Sequence, residues 1–198
     1  MLLVSMKGAQ PKPVHFRREK DIYALLKNQP HILEKETQYR MLLINKGPEK
    51  GPDFIAVNRR GHLLLGEVKK GPLSLVAWRQ IRRYAKRFCK MRKDDLNGVL
   101  VKAGIGPLQK TLKGKRLLSS TGWKALLNPS RRKLQLVLVA EGFSDRVLQG
   151  MSHDLLGNPL RSKVKDVKCV ELRMYRVSGS TQFAIASVIA GNRRQLRG

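Results

Sequence analysis

The stretch PDFIAVNRRGHLLLGEVKK, residues 52–70, sets two apolar runs on either side of a turn, and its reading decides the fold. Asn58-Arg59-Arg60-Gly61 has turn chemistry, so DFIAVN and HLLLGEVKK are expected to pair as an antiparallel hairpin. Side chains alternate between faces along a strand, which puts Glu67 and Lys69 on the same face. The run Leu63-Leu64-Leu65-Gly66 leads into Glu67, so this carboxylate falls at the end of a central strand, where an unpaired charge is costly. Asp53 opens the partner strand, and the twist of a hairpin can bring it towards Glu67.

Carboxylate pairs suit a hard divalent cation such as Mg²⁺ or Mn²⁺, which takes one or two carboxylates together with phosphate oxygens and waters. Asp53, Glu67 and the Val68 backbone carbonyl form the candidate ligand set. A metal held there would polarise a scissile phosphate and activate a water. Lys69 is placed to orient or deprotonate that nucleophile and to offset transition-state charge. Taken singly, Asp53 reads as a turn residue, Glu67 as a solvated strand charge and Lys69 as one of many lysines. Only their joint placement singles them out.

Downstream of the hairpin, LSLVAWRQIRRYAKRFCKMRK places Leu75, Trp78, Ile81, Ala85 and Phe88 on a helical stripe. Arg79, Arg82, Arg83, Lys86 and Arg87 largely surround that stripe, which makes this a long basic helix suited to phosphates. Upstream, Ile22, Leu25 and Leu26 predict a helix from Phe16 to Asn28 that Gln29-Pro30 stops. EKETQYRMLLI is then expected to be extended, with a turn at NKGPEKGP. Residues 93–133 carry five glycines, two prolines and many basic residues and read as an insertion with only local structure. Within it, Lys113, Lys115, Arg116, Arg131 and Arg132 could track phosphates, and Trp123 either stacks on a base or anchors the insertion to the core. LQLVLVA is a buried strand, Ser144 caps a helix through Met151, and VKDVKCVELRMYRV and TQFAIASVIA are closing strands. The division is an arm at 1–14, one domain at 15–190 and a basic tail at 191–198.

A chain of 198 residues suits one domain with a core of its own. Its 41 Lys and Arg against 14 Asp and Glu give a charge of +27, which calls for a polyanionic partner, nucleic acid first. Cys89 and Cys169 lie far apart and no histidine forms a short pair, so zinc is not expected. The opening residues lack the apolar run of a signal peptide, and no stretch reaches membrane-spanning length. A cytoplasmic protein with reduced thiols, nucleoid-associated if prokaryotic, is the expectation.

Gln80 and Tyr84, one turn apart in QIRRY on the helix after the ExK strand, resemble the QxxxY signature of RecB-like PD-(D/E)XK nucleases. Glu19 in FRREKDIYALL is similar to the glutamate on the first helix of that superfamily. EKDIYALL, PDFIAV, GHLLLGEVKKG, QIRRY and LVLVAEGFSDRVL together resemble the catalytic domain of NucS-type endonucleases, over about residues 17–92 and 134–177. The resemblance implies an α/β fold of the restriction-endonuclease type, with a mixed central β-sheet flanked by helices. It also implies metal-dependent cleavage of DNA phosphodiesters, for which Glu19, Asp53, Glu67, Lys69 and Gln80 form the catalytic set. Glu19 joins the metal ligands, and Tyr84 joins the basic helix in contacting DNA. The separate N-terminal DNA-binding and dimerisation domain of NucS-type enzymes has no counterpart before Glu19.

Two other functions fit the residues: a non-catalytic nucleic-acid-binding module on a nuclease fold, and a basic protein of an RNA-directed assembly. The residues leave monomer and homodimer open, a two-strand cut implying a dimer. They also do not identify the preferred DNA structure, because phosphate contacts carry no sequence information.

Overall fold

The computed structural model describes residues 12–37, 41–46, 51–58, 60–102, 119–156, 159–176 and 182–190. Seven strands in these segments build one mixed sheet: β1 (Lys12–Val14), β2 (Met41–Lys46), β3 (Phe54–Asn58), β4 (Leu63–Pro72), β5 (Leu134–Gly142), β6 (Val164–Arg176) and β7 (Gln182–Ala190). β2, β3 and β4 run antiparallel as a meander, β4, β5 and β6 are parallel, and β7 returns antiparallel to β6. β1 also pairs antiparallel with β6, beyond the stretch that β5 uses. The chain is therefore α/β, with helices on both faces of a mixed sheet.

The two faces have separate cores, as strand alternation requires. Ile55, Val57, Leu63, Leu65, Leu136 and Leu138 pack beneath α3 (Leu75–Lys90), α4 (Lys93–Lys102), α5 (Ser120–Leu127) and α6 (Asp145–Leu156). Phe54, Ala56, Leu64, Val68, Val137 and Val139 pack beneath α1 (Glu19–Asn28) and α2 (His31–Thr37). The interior strands β4 and β5 are buried on both sides, which explains why HLLLGEV and LQLVLVA read as continuous apolar runs.

The predicted hairpin forms in the expected sense, with Phe54 opposite Gly66 and Val57 opposite Leu63. Other boundaries differ for identifiable reasons. The first helix begins at Glu19, because the Phe16 N–H is taken by a carboxylate of β5 and the Arg18 N–H by the Asp21 side chain at 3.0 Å. Glu34 to Thr37, expected to be extended, belong instead to α2. Pro30 does end α1, but its carbonyl accepts from the Leu33 and Glu34 N–H groups and so opens the next helix, which buries Ile32 and Leu33.

Residues 93–133 are more than an insertion with local structure. α4 and α5 place Leu96, Leu100 and Leu126 in the main core. Residues 103–118, with Lys113, Lys115 and Arg116, lie outside the described residues, as do 1–11 and the tail at 191–198. α6 continues past Met151 to Leu156. Among the described residues no helix is long and apolar enough to cross a membrane.

Candidate active site

β3 and β4 end their ladder at Phe54 and Gly66, and the side chain of Asp53 takes over from there. Its Oδ2 accepts the Val68 N–H at 2.7 Å, so Asp53 continues the strand pairing with a carboxylate in place of a peptide. Of the Val68 main chain, it is thus the N–H that engages Asp53, and in an extended strand the carbonyl of the same residue, expected as a ligand, points to that same edge. Gly66 lets Phe54 lie flat over the backbone just before Glu67, since a Cβ there would stand 2.0 Å from the Phe54 ring. Side chains 63, 65, 67 and 69 share one face, so the apolar pair Leu63 and Leu65 gives way to the charged pair Glu67 and Lys69 as β4 leaves the core.

Lys69 is the centre of the cluster. Its Nζ lies 2.9 Å from Glu67 Oε1, 3.8 Å from Asp53 Oδ2 and 3.8 Å from Glu19 Oε1. The start of α1, the end of the β3 lead-in and β4 thereby bring together four residues separated in sequence. Glu67 is fully buried, and neither of its oxygens makes a hydrogen bond of ordinary geometry, Lys69 meeting Oε1 as a contact ion pair. Burial, followed by the Asp53 charge, raises the Glu67 carboxyl to about 7, against the opposing effect of Lys69. For Lys69 burial works downward, but contact with Glu67 and the charges of Asp53 and Glu19 outweigh it and raise the ammonium above its usual range.

Three carboxylates around one ammonium make a site with more negative than positive charge. Among the described residues no three His, Cys, Asp or Glu side chains form a ready-made metal cage, since the acids converge on Lys69. The donor set nonetheless fits a small hard cation: it is all oxygen, Glu67 has unmet acceptors, and such an ion needs only one or two carboxylates. Cys89 and Cys169 are free and buried, and burial pushes the Cys169 thiol up to about 12.

α3 follows directly, capped by Ser74, whose Oγ accepts the Ala77 N–H. Gln80 Nε2 donates to the Tyr84 hydroxyl at 3.0 Å, the one-turn pairing their spacing predicts. Tyr84 also packs on the main core. Arg79, Arg83, Lys86 and Arg87 are exposed on the outer face, while Arg82 lies over the Trp78 ring at 5.6 Å. Val76, Arg79, Arg82, Arg83 and Lys86 line an open groove of about 420 Å³.

Two residues expected to meet nucleic acid serve the fold. Trp123 is half-buried against the main core, as its anchoring alternative predicts. Arg132 is a correction: it has no exposed surface, and its guanidinium donates to the carbonyls of Phe88, Met91 and Leu126 at 2.7–2.8 Å and of Leu127 at 3.5 Å. Those carbonyls end α3 and α5, where helices leave acceptors unpaired. Its neighbour Arg131 remains exposed. Sequence reasoning missed Glu141, which joins two segments of the site. The only signal for it is an acid at the end of a strand that is apolar from Leu136 to Ala140.

No protein-family model, no curated protein and no solved structure matches the chain, so this geometry is the ground on which its function is read.

Proposed function

We propose that the chain is a Mg²⁺- or Mn²⁺-dependent endonuclease of the PD-(D/E)XK type that hydrolyses DNA phosphodiester bonds on a restriction-endonuclease-like fold. The observation that carries this reading is the convergence of Glu19, Asp53 and Glu67 on Lys69, with the buried Glu67 ion-paired through Oε1 and its Oε2 without a partner. Asp53 and Glu67 would hold the cation, with Glu19 beside them. A bound divalent ion supplies a Lewis acid for the phosphate and a lowered pKa for a water.

Lys69 holds its proton at neutral pH in the chain alone, so its role there is a charged group directed at phosphate oxygens rather than a free base. The outer face of α3 offers Arg79, Arg83, Lys86 and Arg87 to the sugar-phosphate backbone, and the +27 charge favours rapid encounter with a polyanion. Gln80, oriented by Tyr84, stands on the same helix. DNA repair, recombination or mobile-element processing would suit such an activity.

The test is cleavage of single-stranded, duplex, mismatched, flapped and four-way DNA, and of matched RNA, with and without Mg²⁺. Cleavage is expected only with the metal, with Asp53→Ala and Glu67→Ala abolishing it while DNA binding persists. Metal-independent cleavage, or full activity in both variants, would overturn the reading. The absence of a three-ligand cage among the described residues favours one rival, a binding module without catalysis. That rival predicts tight DNA binding and no heat of Mg²⁺ binding in calorimetry.

A further inference from the structure

β5 makes its last pair with β6 at Ala140 and Glu171, and farther along β6 the same edge is taken by β1, where Val14 faces Met174. The changeover interrupts the strand ladder. The carboxylate of Glu141 lies at this junction with its side chain 9% exposed. Oε1 accepts the Phe16 N–H at 3.0 Å and meets His15 Nδ1 at 3.2 Å, while Oε2 accepts the Gly71 N–H at 2.7 Å.

Each segment it holds carries part of the site. Phe16 is 3% exposed and stands three residues before Glu19, so fixing it fixes where α1 begins. Gly71 stands two residues after Lys69, with φ 75°, in the irregularity that shifts the register near the end of β4. Glu19 and Lys69 come from these two segments and meet at 3.8 Å. One largely covered carboxylate thus ties the entry to α1 directly to the last residues of the ExK strand.

We propose that Glu141 is the positioning residue of this site, setting Glu19 against Lys69 from behind without touching substrate. Its consequence for catalysis rests on the nuclease reading above; its consequence for the carboxylate cluster does not. A carboxylate is required because two main-chain N–H groups approach from different sides and each needs an acceptor. Glu141→Gln keeps the shape but turns an amide NH₂ towards one of them.

The experiment compares wild type, Glu141→Gln, Glu141→Asp, Glu19→Gln and the Glu19→Gln/Glu141→Gln double variant, in plasmid cleavage and in Mn²⁺ titration calorimetry. Glu141→Gln is expected to lower kcat and to weaken Mn²⁺ binding by about 10- to 100-fold each, with KM for DNA unchanged. In the Glu19→Gln background its further effect should shrink to about threefold or less, because the group being positioned is gone. Glu141→Asp, with both acceptors on a shorter arm, should recover part of the loss, and it replaces Glu141→Gln if that variant does not fold.

Wild-type kcat and Mn²⁺ affinity in Glu141→Gln would overturn the proposal. So would a loss equally large with Glu19 present or absent, which marks a general structural role. If the wild type binds Mn²⁺ and cleaves nothing, while Glu141→Gln weakens that binding, the positioning role stands and the nuclease reading falls. If the wild type does neither, both fall.

Discussion

Glu67 and Arg132 are both charged and both fully buried, yet the fold treats them in opposite ways. Arg132 is surrounded by main-chain acceptors from the last turns of α3 and α5, and the partial negative charge of two helix ends stands in for a counter-ion. Glu67 has acidic neighbours, one ammonium to share with two other carboxylates, and oxygens with no hydrogen bond. Burying a charge is costly unless it is paired and hydrogen-bonded. Arg132 meets that condition and secures the return of the 93–133 segment to the core. Glu67 does not, and the shortfall lies where a cation would remove it.

The contrast breaks most decisively at Lys69. Lys69→Met takes away the internal cation, and cleavage in Mg²⁺ is expected to fall by about 10³-fold. Mg²⁺ affinity should rise, because the metal no longer competes with an ammonium for the same oxygens. Calorimetry that found weaker Mg²⁺ binding in this variant would mean that Lys69 is part of the metal site's support rather than its rival.

Arg132→Met is expected to remove about 3 kcal/mol of stability in urea unfolding, since four carbonyls lose their donor, and to leave the DNA affinity of the folded protein unchanged. A selective loss of DNA binding would return Arg132 to the interface.

Glu67 should show the complementary dependence on pH. Its folded pKa, about 7, lies above the ordinary carboxylate value, so the stabilisation from its protonated form is present at low pH and is lost as pH rises through about 7. Metal-free wild type should therefore lose on the order of 3 kcal/mol relative to Glu67→Gln between about pH 4 and pH 8. Differential unfolding of the two proteins without metal measures this, and parallel curves would contradict the raised value. Mg²⁺ affinity should climb over the same interval, because the ligand must be deprotonated.

The smallest effects belong to the exposed charges that neither residue resembles. Arg83→Ala and Lys86→Ala are each expected to lower the slope of log K against log salt for DNA binding by about 1, while kcat at saturating DNA holds steady. Unchanged slopes in both would place the DNA path away from α3.

Much of the site was legible as spacing. The hairpin, the shared face of Glu67 and Lys69, the basic helix and its Gln80–Tyr84 pair all follow from local periodicity, which has the same cause in the chain and in the fold. What escaped the reading depended on distant partners. Pro30 reads locally only as a stop, whereas Ile32 and Leu33 have a core face to cover and draw the next residues into α2. Arg132 looks in sequence like one more basic residue, because nothing adjacent to it announces the ends of two helices.

By itself, then, the sequence determined the strand and helix types outside residues 34–37 and 93–133, the high positive charge and the identity of the groups at the hairpin's end, because these depend on residue type and near neighbours. The tertiary structure alone decided which charges stay in water and which are enclosed, and what encloses them. Glu19 reaches Lys69, Glu141 joins two segments and Arg132 disappears from the surface only after β1 and β5 share an edge of β6 and the ends of α3 and α5 come within reach of one guanidinium. Burial and hydrogen-bond satisfaction arise from contacts remote in sequence, and it is those contacts that make one buried charge structural and leave another available to a metal.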